Sequence, residues 1–121
     1  KILGPDVGDI DYVAYTCDQD AYACSGQKCS AQSLLFVPKK WEKKGLLEKM
    51  EELAATRHLD GDKYSRLTIG PVLTWTTEAM LDHVKKLLEI PGAKLLWGGK
   101  ELTNHTIPKC YGAIEPTAVY V

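Results

Sequence analysis

The chain has 121 residues, enough for one domain that buries roughly two thirds of the surface its unfolded chain would expose. Its 15 lysines and arginines are balanced by 16 aspartates and glutamates, so no excess positive charge is available to bind phosphates or anionic lipids. Neither nucleic acid nor a membrane surface is therefore expected as a partner. No apolar run approaches the roughly 20 residues of a membrane-spanning helix, and the first residues do not resemble a secretory leader, so we expect an intracellular soluble protein.

The four cysteines are expected to be free thiols with no bound metal. Cys17, Cys24 and Cys29 are spaced seven and five residues apart, and Cys110 lies far along the chain. These spacings match neither the dense cysteine framework of small secreted domains nor the paired ligands of a zinc site. We therefore predict neither native disulfides nor a metal centre.

A first helix is predicted between Asp9, a good N-cap, and Gly26, a natural helix stop. Apolar residues recur in it at helical spacing, namely Ile10, Val13, Ala14, Cys17, Ala21 and Cys24. This pattern places Cys17 and Cys24 on the apolar face, where a free cysteine is most often simply buried. Both are interpreted as packed core thiols.

Cys29 falls just outside that periodic pattern, in a turn that follows Gly26 and precedes a short apolar run. The small residues Ser30 and Ala31 come directly after it. A thiol in such a turn can be reached by a substrate and by backbone N–H donors, whereas a thiol inside a helix cannot. Cys29 is therefore the candidate nucleophile.

The middle of the chain predicts a strand, a helix and a loop. Residues 33–37 are an apolar run closed by Pro38, which is typical of a buried strand in a mainly parallel sheet. Residues 40–57 combine an apolar stripe with a charged face, which indicates a second helix whose charges are solvated. Residues 58–66 have turn chemistry and predict an exposed loop, in which Asp60-Gly61-Asp62 lacks the rest of a calcium motif and is interpreted as a turn.

The last part of the chain predicts a third helix and two extended segments. Thr76 or Thr77 is expected to cap the helix. Residues 93–97 predict a strand, and residues 113–121 predict a last extended segment. Helices that alternate with strands predict an α/β fold built from βαβ units, with a mainly parallel sheet. No repeat or linker divides the chain, so we expect one domain.

A motif surrounds Cys29: Gly26-Gln27-Lys28-Cys29-Ser30-Ala31, with the aromatic Tyr22 four positions before the glycine. It resembles the cysteine active-site signature of the NAD(P)-dependent aldehyde dehydrogenases. Further segments come in the order and approximate spacing of that family's catalytic domain: Ile69-Gly70-Pro71, Gly92-Ala93-Lys94-Leu95-Leu96 with Gly98-Gly99, and Glu115-Pro116-Thr117. The resemblance spans essentially the whole chain and is strongest to the pyrroline-5-carboxylate (glutamate semialdehyde) dehydrogenases, particularly their plant-type branch.

The resemblance implies a reaction and a set of partners. The Cys29 thiolate would attack a small-molecule aldehyde to give a thiohemiacetal, hydride would pass to NAD, and water would hydrolyse the resulting thioester. Ser30 would bind the α-carboxylate of L-glutamate gamma-semialdehyde, although a small residue that the tight turn tolerates is the alternative explanation of this serine. A mitochondrial location and a homo-oligomeric full-length enzyme are implied as well.

Parts of such an enzyme are not found in this sequence. No GxGxxG or other glycine-rich turn between a strand and a helix is present, so the cofactor-binding domain is not expected in this chain. By the resemblance, the general-base glutamate would precede Lys1, the oxyanion asparagine would belong to the cofactor domain, and a Glu-x-Phe-Gly-Pro stretch would follow Val121. The chain is thus expected to be part of a catalytic domain, inactive by itself.

Two other functions are compatible with the residues alone. A Cys–His hydrolase would use His58, His83 or His105, but the spacing selects none of the three. In a non-catalytic α/β binding or scaffold module, Cys29 would be inert.

Overall fold

The structure is a computed structural model that describes residues 1–59, 69–103 and 105–121. The chain divides into two compact units, Lys1–Thr56 and Arg57–Val121. The predicted turn Asp60-Gly61-Asp62 and most of the predicted loop around it lie outside the described residues. Among the residues that are described, no helix is both long and apolar enough to cross a membrane.

Helix α1, Ile10–Tyr22, begins where the sequence predicts. The Asp9 side chain accepts a hydrogen bond of 3.0 Å from the Tyr12 amide. This bond satisfies one of the amides that the first turn of any helix leaves without a backbone partner. The helix ends before Gly26, because Cys24 and Ser25 already leave the right-handed helical conformation.

The core of the first unit lies between α1 and helix α3, Leu46–Ala54. Its most deeply buried side chains lie on the facing sides of the two helices: Ala14, Cys17 and Asp18 on α1, and Leu46, Met50 and Ala54 on α3. Burying one large aliphatic side chain contributes roughly 1.5–3 kcal/mol, so this contact is a main source of stability for the unit. The burial of Asp18 was not expected from the apolar pattern.

The prediction of a single helix over residues 40–57 is wrong, because the segment forms two helices. Helix α2, Lys39–Lys43, is separated from α3 at Gly45, whose φ of 85° is left-handed. A left-handed residue cannot continue a right-handed helix, and glycine adopts that conformation at little steric cost. On α2, the Trp41 indole N–H donates a 2.7 Å hydrogen bond to the Gly4 carbonyl, which packs α2 on the N-terminal segment.

Residues 33–37 do not form the buried strand that was predicted, and only Phe36 takes part in a β-bridge. Phe36 pairs in parallel with Ile2, and its amide donates a 2.9 Å hydrogen bond to the Lys1 carbonyl. The side chains of Leu34 and Phe36 are 61% and 59% exposed. The apolar run therefore did not predict a buried strand, because burial depends on what covers the run, which the run itself does not specify.

Helix α4, Thr77–Leu88, lies in the second unit. The Thr76 hydroxyl accepts a 3.2 Å hydrogen bond from the Ala79 amide, which confirms Thr76 as the N-cap. Glu78 lies in the first turn, where a negative charge interacts favourably with the helix dipole.

Strand β1, Lys94–Trp97, and strand β2, Ala118–Tyr120, form an antiparallel two-stranded sheet in which Leu95 pairs with Val119. Both strands lie within segments predicted to be extended, and the mixture of helix and strand is confirmed. The prediction of a mainly parallel sheet is wrong, because the two described strands run antiparallel. The predicted alternation of helices and strands is also wrong, because in the described residues both strands follow α4. Composition identifies an extended segment, but it does not identify the strand with which that segment pairs or whether the pair is parallel. Both depend on the path of the chain between the two strands.

Two glycines allow the last part of the chain to pack closely within the second unit. Gly112 exchanges two backbone hydrogen bonds of 2.8 Å with Val72, and a Cβ atom on Gly112 would lie 2.3 Å from Met80 Cε. Gly98, with a φ of 74°, lies so close to Pro116 that a Cβ atom would be 2.2 Å from the Pro116 carbonyl oxygen. A side chain at either position would force the neighbouring groups apart.

Candidate active site

The candidate nucleophile Cys29 and its neighbour Ser30 lie at the centre of a tight turn. The turn covers residues 28–31 and is closed by a hydrogen bond of 3.1 Å from the Ala31 amide to the Lys28 carbonyl. Both central side chains are exposed. The structure thus places the thiol and the hydroxyl side by side in sequence and open to solvent, while their catalytic and binding roles stay predictions.

Three consecutive left-handed residues lead into this turn. The φ angles are 54° at Cys24, 55° at Ser25 and 73° at Gly26. For a residue with a Cβ atom, the left-handed conformation costs about 1–2 kcal/mol, so two such residues in succession store strain. The backbone and side-chain amides of Gln27 both donate to the Cys24 carbonyl, at 3.1 and 3.0 Å, and hold the segment in place. Strain of this kind clusters at functional sites.

The prediction that Cys24 packs in the core beside Cys17 is wrong. Cys17 is fully buried in α1, and this burial raises the pKa of its thiol. Cys24, in contrast, lies beyond the end of α1 and is exposed. The helical period places Cys24 on the apolar face only if the helix continues past Tyr22, and the backbone leaves the helix there. Cys110 is also exposed.

An open groove of about 530 Å³ lies next to Ser30. Ala31, Gln32, Lys1 and Asp20 also contribute to its walls, whereas Cys29 does not. The Asp20 carboxylate forms an ion pair with the Lys1 ammonium, and the Asp20 carbonyl accepts a 2.9 Å hydrogen bond from the Gln32 amide. The latter bond fixes the segment after the turn to the last turn of α1, which positions Ser30 at the groove.

No feature of the three histidines marks one of them as a base for Cys29. His58 and His83 are exposed, and Nδ1 of His105 accepts a 3.1 Å hydrogen bond from the Ile107 amide. Within the described part of the chain, no group of three or more His, Cys, Asp and Glu side chains is arranged to hold a metal ion.

The aldehyde dehydrogenase family model matches residues 2–120, nearly the whole chain. The chain belongs to the aldehyde dehydrogenase family. The matched region includes Cys29 and Ser30, so the family resemblance of the sequence around them is confirmed.

Individual relatives of this aldehyde dehydrogenase chain are considerably longer than it is. Over 121 residues it is 67% identical to the mitochondrial delta-1-pyrroline-5-carboxylate dehydrogenase 12A1 of Arabidopsis thaliana, covering all of this chain and 21% of that protein. It is 66% identical over 121 residues to a probable aldehyde dehydrogenase of Linum usitatissimum, with the same coverage of 100% and 21%. A stretch of 59 residues, 49% of this chain, is 32% identical to 12% of an N-succinylglutamate 5-semialdehyde dehydrogenase of Vibrio cholerae. The chain thus spans about a fifth of the length of the two plant relatives it matches throughout.

The two glycines after strand β1 do not form a binding site for the pyrophosphate of NAD(P), the cofactor that the family generally uses. A dinucleotide fingerprint needs glycines at a turn from strand to helix, where free backbone amides meet the pyrophosphate. Strand β1 is followed by two glycines, but Gly98 is packed against Pro116, and the Gly99 amide donates a 2.9 Å hydrogen bond to Thr117 Oγ1. These two glycines therefore make contacts within the chain and do not form a binding site for a pyrophosphate.

Proposed function

We propose that this chain is the nucleophile-bearing part of a larger mitochondrial enzyme that oxidises L-glutamate gamma-semialdehyde to glutamate with NAD. The identity of 67% to a plant mitochondrial pyrroline-5-carboxylate dehydrogenase, over the whole chain, supports this substrate and location. The observation that carries the proposal is the exposed Cys29 at the centre of a tight turn inside the matched family region. The chain would then be part of the catalytic domain, and the cofactor-binding domain would lie elsewhere in a homo-oligomeric enzyme.

In the proposed reaction, this chain contributes the sulfur atom that bonds covalently to the substrate. The bond forms when the Cys29 sulfur adds to the aldehyde carbon, and it breaks when water releases the acid. A thiol suits both events, because it is a strong nucleophile and its thiolate is also a workable leaving group. The exposure of Cys29 in a turn gives an aldehyde access to the sulfur, which the fully buried Cys17 does not allow.

Ser30 is proposed to bind the carboxylate at the far end of the substrate. It directly follows Cys29 and contributes to the wall of the adjacent groove. A hydroxyl can donate a hydrogen bond to a carboxylate, and a hydrogen bond to a charged group contributes roughly 1.5–3 kcal/mol. Ser30 would therefore select an aldehyde that carries a carboxylate over one that does not.

The role of Cys29 is tested by Cys29→Ala in the full-length enzyme. We expect kcat to fall by more than about 1000-fold, because the nucleophile is lost. Cys110→Ala is the matched control, since Cys110 is also an exposed thiol and should be dispensable. In the wild-type enzyme, the tryptic peptide of residues 29–39 should gain the mass of the acyl group when the reaction is quenched during turnover. Turnover by Cys29→Ala at the wild-type rate would refute the proposal.

The role of Ser30 is tested by Ser30→Ala with two aldehydes. For glutamate semialdehyde, kcat/KM should fall about ten- to a hundred-fold, which corresponds to the loss of one hydrogen bond to a charged group. For propanal, which has no carboxylate, kcat/KM should stay nearly unchanged. Equal losses for both aldehydes would show that Ser30 supports the turn around Cys29, and the carboxylate role would be abandoned.

A further inference from the structure

Two exposed thiols lie close together in the sequence at the candidate active site. Cys24 and Cys29 are five positions apart, and both are exposed. Cys24 has no role in the proposed reaction, and the apolar pattern that would have buried it ends with α1. An accessible cysteine next to a reactive one is the arrangement that resolves an oxidised thiol in redox-sensitive proteins.

The backbone from Cys24 to Cys29 passes through two successive turns. The hydrogen bond from the Gln27 amide to the Cys24 carbonyl closes a first turn, and residues 28–31 form the second. A four-residue turn keeps the Cα atoms of its first and last residues within about 7 Å. Cys29 follows Gln27 by two residues, and neither an α-helix nor a strand lies between the cysteines to hold them apart. A disulfide needs Cα atoms about 4.4–6.8 Å apart, which a segment of two successive turns can provide.

We propose that Cys24 and Cys29 form a reversible disulfide when a hydroperoxide oxidises Cys29. The Cys29 sulfur attacks one peroxide oxygen, so that an S–O bond forms and the O–O bond breaks, and water or an alcohol leaves. The Cys24 sulfur then attacks the Cys29 sulfur, so that the S–S bond forms, the S–O bond breaks, and the departing oxygen takes up a proton as water. Two thiols lose two electrons in total, and the hydroperoxide gains them.

The disulfide would both block and protect the site. While it exists, the Cys29 sulfur cannot add to an aldehyde, and it cannot be oxidised further to the irreversible sulfinic acid. Dithiols reverse a disulfide by exchange, which restores both thiols. The consequence for catalysis rests on the proposed function of Cys29, whereas the bond itself does not.

The positions of the lysines give a direct assay in the 121-residue chain. Trypsin cleaves after Lys28, so Cys24 and Cys29 fall on separate peptides, residues 2–28 and 29–39. After treatment with limiting hydrogen peroxide, these peptides should appear as one linked species, two hydrogens lighter than their sum, and dithiothreitol should separate them. Because residues 2–28 also contain Cys17, fragment ions should assign the link to Cys24.

Two variants test the assignment. Cys24→Ser removes the thiol with little change in size, and Cys24→Gly removes it while favouring the left-handed backbone at φ 54°. Both should lose the linked species, whereas Cys110→Ser should retain it. The proposal is overturned if the link persists in both Cys24 variants, if Cys29 links instead to the peptide of residues 110–121, or if Cys29 becomes a sulfinic acid without a link.

A measurement on the full-length enzyme tests the protective effect. After inactivation by hydrogen peroxide, dithiothreitol should restore the activity of the wild-type enzyme but not that of Cys24→Ser, in which Cys29 proceeds to the sulfinic acid. Equal recovery in both would overturn the protective role of Cys24. If Cys29→Ala proved active, the proposed function would fail, but the linked peptides would still report on the disulfide.

Discussion

Gly98→Ala is expected to destabilise the second unit strongly. Gly98 has a φ of 74°, and a Cβ atom there would lie 2.2 Å from the Pro116 carbonyl oxygen and 2.8 Å from Thr117 Cα. The left-handed conformation costs about 1–2 kcal/mol for alanine, and displacing closely packed backbone costs about 1–3 kcal/mol more. The free energy of unfolding should therefore fall by about 2–5 kcal/mol, the sum of these two costs. Urea unfolding followed by tryptophan fluorescence measures it, since Trp97 directly precedes Gly98.

Gly92→Ala is the matched control for this prediction. Gly92 is also left-handed, with a φ of 87°, but no atom beyond its own residue and its two chain neighbours lies within 4 Å of the position its Cβ atom would occupy. Only the conformational cost remains, so we expect a loss of about 1–2 kcal/mol. Equal losses for the two variants would refute the close contact between Gly98 and Pro116, and a smaller loss for Gly98→Ala would refute the argument entirely.

Three further predictions concern the 121-residue chain. Limiting iodoacetamide should label Cys29 before Cys17, because burial shields Cys17 and raises the pKa of its thiol, so that less thiolate is present. Peptide masses measure the order, and labelling of Cys17 first would contradict its burial in α1. The chain should also self-associate through the exposed apolar side chains of Ile2, Leu34 and Phe36, and Phe36→Ser should weaken this association in sedimentation velocity. A wild-type chain that is monomeric at all concentrations would refute it. Finally, calorimetry should detect no NAD binding, and micromolar binding would contradict the assignment of the cofactor site to another part of the polypeptide.

Local sequence was sufficient for the features that depend on a few neighbouring residues. The caps at Asp9 and Thr76 were predicted because a capping side chain bonds to an amide within three residues of itself. The turn at Cys29 was predicted because Gly26 breaks the helical period shortly before it. The motif around Cys29 also indicated the family, since a nucleophile and its small neighbours are contiguous in the chain.

Only the tertiary structure decided the features that period and propensity leave open. Cys24 continues the apolar period of α1, but it is exposed because the backbone turns left-handed there. Gly45 was compatible with a continuous helix, since one glycine costs only about 1 kcal/mol there, and the break at Gly45 was not predicted from the sequence. The antiparallel pairing of β1 with β2 and the contact between Gly98 and Pro116 join residues many positions apart. Such contacts are selected by the packing of the whole unit, because propensity and period describe only the conformation of a segment and not the partner against which it lies.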